Sequence, residues 1–180
     1  NLFIMKLTIL GSGTAIVTAR RGSSGYLIKI ADKTLLLDGG SGTLRKIAEA
    51  SSSFKEVDYA IYSHLHPDHV TDLISLLFAL RIPSNYKSKD LTVIGPTGMK
   101  EFYRNLSETF NNVIDPRGYE LTINELPGGN LDFDNFKLTS SLINHHEGSL
   151  AYRVESKDGK TVVYSGDTDY CESIVDLARD

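Results

Sequence analysis

Short apolar runs alternate with helical stripes along the whole chain. Leu7 to Leu10, Tyr26 to Ile30, Thr34 to Leu37 and Tyr59 to Tyr62 read as strands, and Ala31-Asp32-Lys33 closes the second and third into a hairpin. Thr43 to Ala50 reads as a short helix that Ser51-Ser52-Ser53 breaks. Val70, Leu73, Ile74, Leu77 and Leu80 keep helical spacing, with Leu76 and Phe78 widening the apolar face, so this helix is expected to be mostly buried. A polar loop from Arg81 to Asp90 containing Pro83 leads to a strand from Leu91 to Ile94. Gly95-Pro96-Thr97-Gly98 then turns into a helix from Met99 to about Phe110.

Beyond a loop from Asn111 to Gly118, Tyr119 to Glu125 is a further strand, and Pro127-Gly128-Gly129-Asn130 turns the chain again. Phe136 to Ile143 is a strand, and Leu150 to Glu155 pairs with Thr161 to Tyr164 around the tight turn Lys157-Asp158-Gly159. A last helix runs from Ser173 to Arg179. Strands and helices interleaved in this number suit two sheets covered by helices, an α+β fold in one domain spanning residues 1–180.

Composition narrows the function classes only a little. Nineteen Lys and Arg against 23 Asp and Glu leave a net charge of −4, which argues against a broad nucleic-acid-binding face while leaving room for nucleic acid at a local basic patch. A single cysteine, Cys171, excludes an internal disulfide and fits a reducing cytoplasm. Asn1 to Leu10 is apolar but short, carries Lys6 and lacks a small-residue cleavage site, so it does not read as a secretory signal; Met5 reads as the native start. No run approaches the length of a transmembrane helix. The turn Gly11-Ser12-Gly13-Thr14 follows a strand, but without a third glycine or a following helix it is a weak dinucleotide signal. Arg20 and Arg21 form a local basic pair that reads equally as a phosphate contact or as two solvated side chains.

The chemistry concentrates in Ser63-His64-Leu65-His66-Pro67-Asp68-His69, which holds three of the five histidines between a buried strand and a helix. Imidazole with carboxylate suits zinc, manganese or iron better than calcium or magnesium. His64 and His66, on alternate residues, can converge on one ion, while Asp68 and His69 lie one step further round, at the helix start, and can face a second. Two such ions about 3.5–4 Å apart activate water and clamp the oxygens of a scissile ester.

The pattern H-x-H-x-D-H resembles the signature of the metallo-β-lactamase superfamily. The segment from His145-His146-Glu147 to Tyr152-Arg153-Val154 resembles the third motif of its ribonuclease Z-like branch, and Tyr164-Ser165-Gly166-Asp167-Thr168 resembles the fourth. The resemblance implies a four-layer αββα sandwich. It makes His145 the ligand, with His146 behind it or facing substrate, and Asp167 a bridge between two ions. It implies His64, His66, His145 and Asp167 around the first ion and Asp68, His69 and Asp167 around the second, with Asp68 also orienting the attacking water. Asp38, at the end of a strand and followed by Gly39-Gly40, falls where the superfamily's first motif places an Asp that supports ligands, and Thr168 joins it in that role.

Two departures bear on function. The family places a final histidine well after Ser-Gly-Asp-Thr, whereas no histidine follows His146 here. The chain therefore reads as lacking the C-terminal part of the fold, with an incomplete second half and edges that favour a homodimer. The interval from His145 to Asp167 holds a bare hairpin, not the long transfer-RNA-clamping arm of ribonuclease Z proper, which favours small or cyclic phosphodiesters. The expected activity is metal-dependent phosphodiester hydrolysis by metal-activated hydroxide, with zinc as the leading cofactor, Mn2+ or Fe2+ as alternatives, and no membrane partner. Hydrolysis of a lactone, thioester or β-lactam on the same site, or a non-catalytic metal-binding scaffold, are the alternatives.

Overall fold

The computed structural model describes residues 5–16, 18–82 and 89–179. Asn1 to Ile4, and positions 83–88 of the expected Arg81–Asp90 loop, lie outside the described residues. Among the described residues ten strands form two sheets. The first joins β1 (Met5–Gly11), β2 (Gly25–Ile30), β3 (Lys33–Leu37), β4 (Tyr59–Ile61), β5 (Leu91–Gly95) and β6 (Leu121–Glu125) in chain order. Its first three strands are antiparallel, and β3 to β6 run parallel. The second sheet is antiparallel and orders β7 (Gly129–Asp132), β8 (Phe136–Leu142), β9 (Leu150–Ser156) and β10 (Thr161–Tyr164) as β10-β9-β8-β7.

Helices cover the outer faces. On the first sheet lie α1 (Thr43–Glu49), α2 (Pro67–Val70), α3 (Asp72–Leu80) and α4 (Met99–Thr109). On the second, α5 (Glu172–Ala178) lies against β8 and β9. The result is the αββα sandwich that the sequence implied.

The two cores follow from the strand sequences. In β2 and β3, Leu27 and Leu36 point into the helix-side core, while Ile28, Leu35 and Leu37 point into the core between the sheets. Both faces are covered, so these strands are continuous apolar runs rather than alternating ones. Each such Leu or Ile, buried fully, contributes about 1.5–3 kcal/mol. In β8, by contrast, Phe136, Leu138 and Ser140 are buried while Lys137 is exposed, the alternation of a sheet with one less covered face.

Some local expectations shift. The helix after the histidine turn begins earlier, with Pro67 at its first position, and is split between α2 and α3 at Thr71. Its buried stripe is Leu73, Leu76, Leu77 and Leu80, whereas Phe78, one step round from Leu77, is 48 % exposed. The strand expected from Tyr119 begins at Leu121. Gly129 and Asn130, read as a turn, open β7. Arg153 anchors α5, donating to the carbonyls of Leu177 and Arg179 at 3.2 and 2.8 Å.

Candidate metal centre

The strand ends of both sheets meet at one edge, and every histidine of the chain lies there. β4 delivers Ser63 and His64, and α2 carries Asp68 and His69. The loop after β8 carries His145 and His146, and the loop after β10 carries Asp167. Polar contacts hold the sheets together at this edge. The Tyr152 hydroxyl donates to the Tyr62 carbonyl at 2.9 Å, the Leu150 N–H to the Ser63 carbonyl at 2.9 Å, and the Tyr164 hydroxyl to Asp38 Oδ2 at 2.5 Å.

Close backbone approach at this edge needs two of the glycines. A Cβ on Gly40 would lie 1.9 Å from the carbonyl oxygen of Asp68, so glycine is what lets the β3 end pass the ligand turn. Gly166 has φ +59°, and a Cβ there would lie 2.8 Å from the Ser63 Cβ.

His64 Nε2 and His66 Nδ1 are 3.0 Å apart, and His145 Nε2 is 3.2 Å from the same His66 nitrogen. Tetrahedral zinc with nitrogen ligands at about 2.0–2.1 Å would set those nitrogens roughly 3.3 Å apart. His146 is not in this trio: its Nδ1 donates to its neighbour's carbonyl, at Glu147, at 3.1 Å, and its ring lies 5.4 Å from that of His66.

A second group joins His64, His69 and Asp167, whose ligand atoms lie within 4.8 Å of one another. His69 Nε2 faces Asp167 Oδ1 at 3.3 Å and Asp68 Oδ2 at 3.6 Å. It is buried and makes no hydrogen bond. A buried nitrogen left without a partner between two carboxylates is costly as it stands and well matched to a divalent cation. The two groups fit such an ion.

Behind the two groups sits Asp38, fully buried with φ 52°. Its Oδ1 accepts from the Ser63 N–H at 2.7 Å, and its Oδ2 accepts from the Ser63 hydroxyl at 2.7 Å, His69 Nδ1 at 2.6 Å and the Tyr164 hydroxyl. Counting hydrogens fixes the tautomers. The one hydroxyl hydrogen of Ser63 goes to Asp38, so Ser63 Oγ accepts from His64 Nδ1 at 3.0 Å, leaving His64 Nε2 as a bare lone pair. His69 gives its Nδ1 hydrogen to Asp38, which turns Nε2 toward Asp68 and Asp167.

Burial, helped by His69, lowers the His64 pKa to about 4, so this imidazole is neutral and ready to ligate. Burial opposes charge on His69 too, but the Asp38 hydrogen bond and the charges of Asp38, Asp167 and Asp68 outweigh it and raise its pKa. The charges that attract a proton to Nε2 are those that would attract a cation.

The other predicted residues stand further out. The Thr168 hydroxyl donates to the Asp169 carbonyl, and the Asp169 N–H donates to the Asn144 carbonyl at 2.9 Å, tying the Asp167 loop to the residue before His145. Arg20 and Arg21 are exposed. A cavity of about 370 Å³ beside Asp167 is lined by Ser12, Gly13 and Thr14 of the glycine turn, with Tyr26 and Tyr164, and not by either arginine. Sequence reasoning missed Ser63, Tyr164 and Ser24, whose hydroxyl lies 2.9 Å from that of Tyr164. Tyr164 and Ser63 each open a quoted segment, but only the packing of the sheets brings them to Asp38.

This edge and the αββα layers define a protein of the metallo-β-lactamase superfamily, ribonuclease Z-like in its motifs. The fold superposes with a TM-score of 0.81 on the metallo-β-lactamase fold protein YhfI from Bacillus subtilis, at 27 % identity over 98 % of this chain and 68 % of that one. It superposes with a TM-score of 0.80 on human tRNase Z, short form, at 20 % identity over 97 % of this chain and 73 % of that one. Ribonuclease Z of Archaeoglobus fulgidus is 30 % identical over 156 residues, 86 % of this chain and 49 % of that protein. The chain thus spans about half the length of the curated relatives it matches. Residues 5–180 match the family described as Anti-Pycsar protein Apyc1, and the chain belongs to that family.

Proposed function

We propose that this protein hydrolyses phosphodiesters with the help of divalent metal held by the two groups, zinc being the favoured ion. The carrying observation is the unpartnered, buried His69 Nε2 between Asp68 and Asp167, directly beside the His64–His66–His145 trio. His64, His66 and His145 would hold one ion, and His69, Asp68 and Asp167 a second, with Asp167 reaching toward both. Bound there, such ions supply Lewis acidity and a water of lowered pKa.

The chain's own groups do the positioning. Asp38 orients His69, Ser63 fixes the His64 tautomer, and Asp68 would orient the attacking water and take its proton. Asp68 is partly buried beside His69, which suits it to that role. A small phosphodiester fits better than transfer RNA, because only the β9–β10 hairpin separates His145 from Asp167. Among the described residues no helix is long and apolar enough to cross a membrane. With a lone cysteine, we place the protein in the cytoplasm.

The test is hydrolysis of bis-p-nitrophenyl phosphate by protein purified without chelator, with metal per chain measured by elemental analysis. Asp167→Ala and His66→Ala should each lower turnover on the order of 100-fold or more, beyond what loss of a supporting residue costs. Unchanged turnover in either variant refutes the mechanism. Bound metal without turnover on any ester would instead favour a metal-binding scaffold.

A further inference from the structure

Tyr164 stands at a junction that the ligand assignment leaves unused. It ends β10 on the second sheet, three residues before Asp167, yet its hydroxyl reaches across to Asp38 on the first sheet. Its single hydrogen goes to Asp38, so the Ser24 hydroxyl, 2.9 Å away, must be the donor to Tyr164. Ser24 is buried just before β2. A directed chain results, from Ser24 to Tyr164 to Asp38, which also accepts from His69 Nδ1. The Tyr164 ring has separate support from Tyr26, 5.1 Å away between centroids.

We propose that Tyr164 is a positioning residue for the ion between His69 and Asp167: its hydroxyl docks the end of β10 onto Asp38 and so sets the spacing of these two ligands. The inference rests on the metal-dependent reading above. One anchor, Asp38, holds both members of the pair. It holds His69 through Nδ1 and, through Tyr164, the strand from which Asp167 projects. The 3.3 Å between His69 Nε2 and Asp167 Oδ1 follows from that shared attachment. The trio is linked to Asp38 by another route, through Ser63 and His64 and not through Tyr164. His66 and His145 stand on the ligand turn and the β8–β9 loop, neither of which Tyr164 touches through its hydroxyl.

The experiment compares wild-type protein with Tyr164→Phe, which keeps the ring and its contact with Tyr26 and loses only the hydroxyl. Both are stripped of metal and titrated with zinc against a chelating dye, and His145→Ala serves to assign which binding step belongs to the trio. Tyr164→Phe should weaken the His69–Asp167 ion by about 10–100-fold, the range for a supporting partner, and leave the trio ion at wild-type affinity. Ser24→Ala, which removes only the donor to Tyr164, should give the same selective pattern by a smaller factor and covers the case in which Tyr164→Phe folds poorly.

Zinc binding unchanged in both variants overturns the proposal. So does equal weakening of both ions together with a lowered melting temperature of the metal-free protein, since that marks a strut rather than a positioning group. Wild-type protein that takes up no zinc refutes the hydrolase reading itself, a failure distinct from either of these.

Discussion

The histidine trio and the His69 pocket lie side by side, share His64, and are built in opposite ways. In the trio, His66 is half-buried and His145 is exposed, and what holds His145 is a surface loop closed by backbone hydrogen bonds, Ile143 N–H to Ser149 O and Ser149 N–H to His146 O. In the pocket, His69 is 1 % exposed and is backed by a fully buried carboxylate with four donors on it. Those donors come from three separate segments: the Ser63 end of β4, α2 and β10. The trio can therefore change its metal affinity with little effect on the fold. The pocket cannot, because Asp38, Ser63 and His69 are buried and depend on one another for partners.

The largest effect should come from removing the anchor. Asp38→Ala leaves the Ser63 N–H and His69 Nδ1 buried with no acceptor and removes the acceptor that the Ser63 and Tyr164 hydroxyls share. The expected loss is about 3–5 kcal/mol, the scale for breaking a buried, hydrogen-bonded charged pair. Denaturant unfolding of the metal-free protein measures it. A loss under about 1 kcal/mol, the worth of one ordinary hydrogen bond, would mean that water replaces the carboxylate freely and that the pocket is no more integral than the trio.

His145→Ala should behave in the opposite sense. The side chain is exposed, so unfolding should move by no more than about 0.5 kcal/mol. Zinc affinity at the trio should nevertheless fall on the order of 100-fold or more, exceeding the loss of a supporting residue. Chelator competition beside a melting curve separates the two quantities. If His145→Ala destabilised the metal-free fold as Asp38→Ala does, the contrast between the regions would collapse.

The same contrast explains what the sequence reveals. His64, His66, Asp68 and His69 sit within six residues, so their shared turn is legible from spacing alone. The β2–β3 hairpin and the helix-side stripe of Leu73, Leu77 and Leu80 are legible for a similar reason, since burial imposes a period on neighbouring residues. His145 and Asp167 required resemblance to known motifs, because their approach to the turn is set by how the second sheet packs on the first. Tyr164, Ser24 and Ser63 were beyond reach. Nothing in a Tyr before Ser-Gly-Asp shows that its hydroxyl crosses to a carboxylate more than a hundred positions earlier. β7 escaped because Gly129 and Asn130, residue types that favour turns, enter a strand by pairing with Ser140 and Thr139 rather than by their own preference.

The smallest effect tests the seam between the regions. Gly166 sits between Tyr164, bound into the pocket, and Asp167, which groups with His64 and His69. Gly166→Ala adds a Cβ at φ +59° that meets the Ser63 Cβ at 2.8 Å and Oγ at 3.0 Å. Left-handed backbone costs a non-glycine residue about 1–2 kcal/mol, and relieving the contact must move either the Asp167 loop or Ser63. Ser63 is pinned by two hydrogen bonds to Asp38 and by its carbonyl to Leu150, so the loop should yield. The expected outcome is a loss of about 1–2 kcal/mol in unfolding free energy, with weaker zinc binding at the His69 group and an unchanged trio. Weakening at the trio instead would show that Ser63 yields first and carries His64 with it. The shared histidine, rather than the shared carboxylate, would then be what couples the two groups.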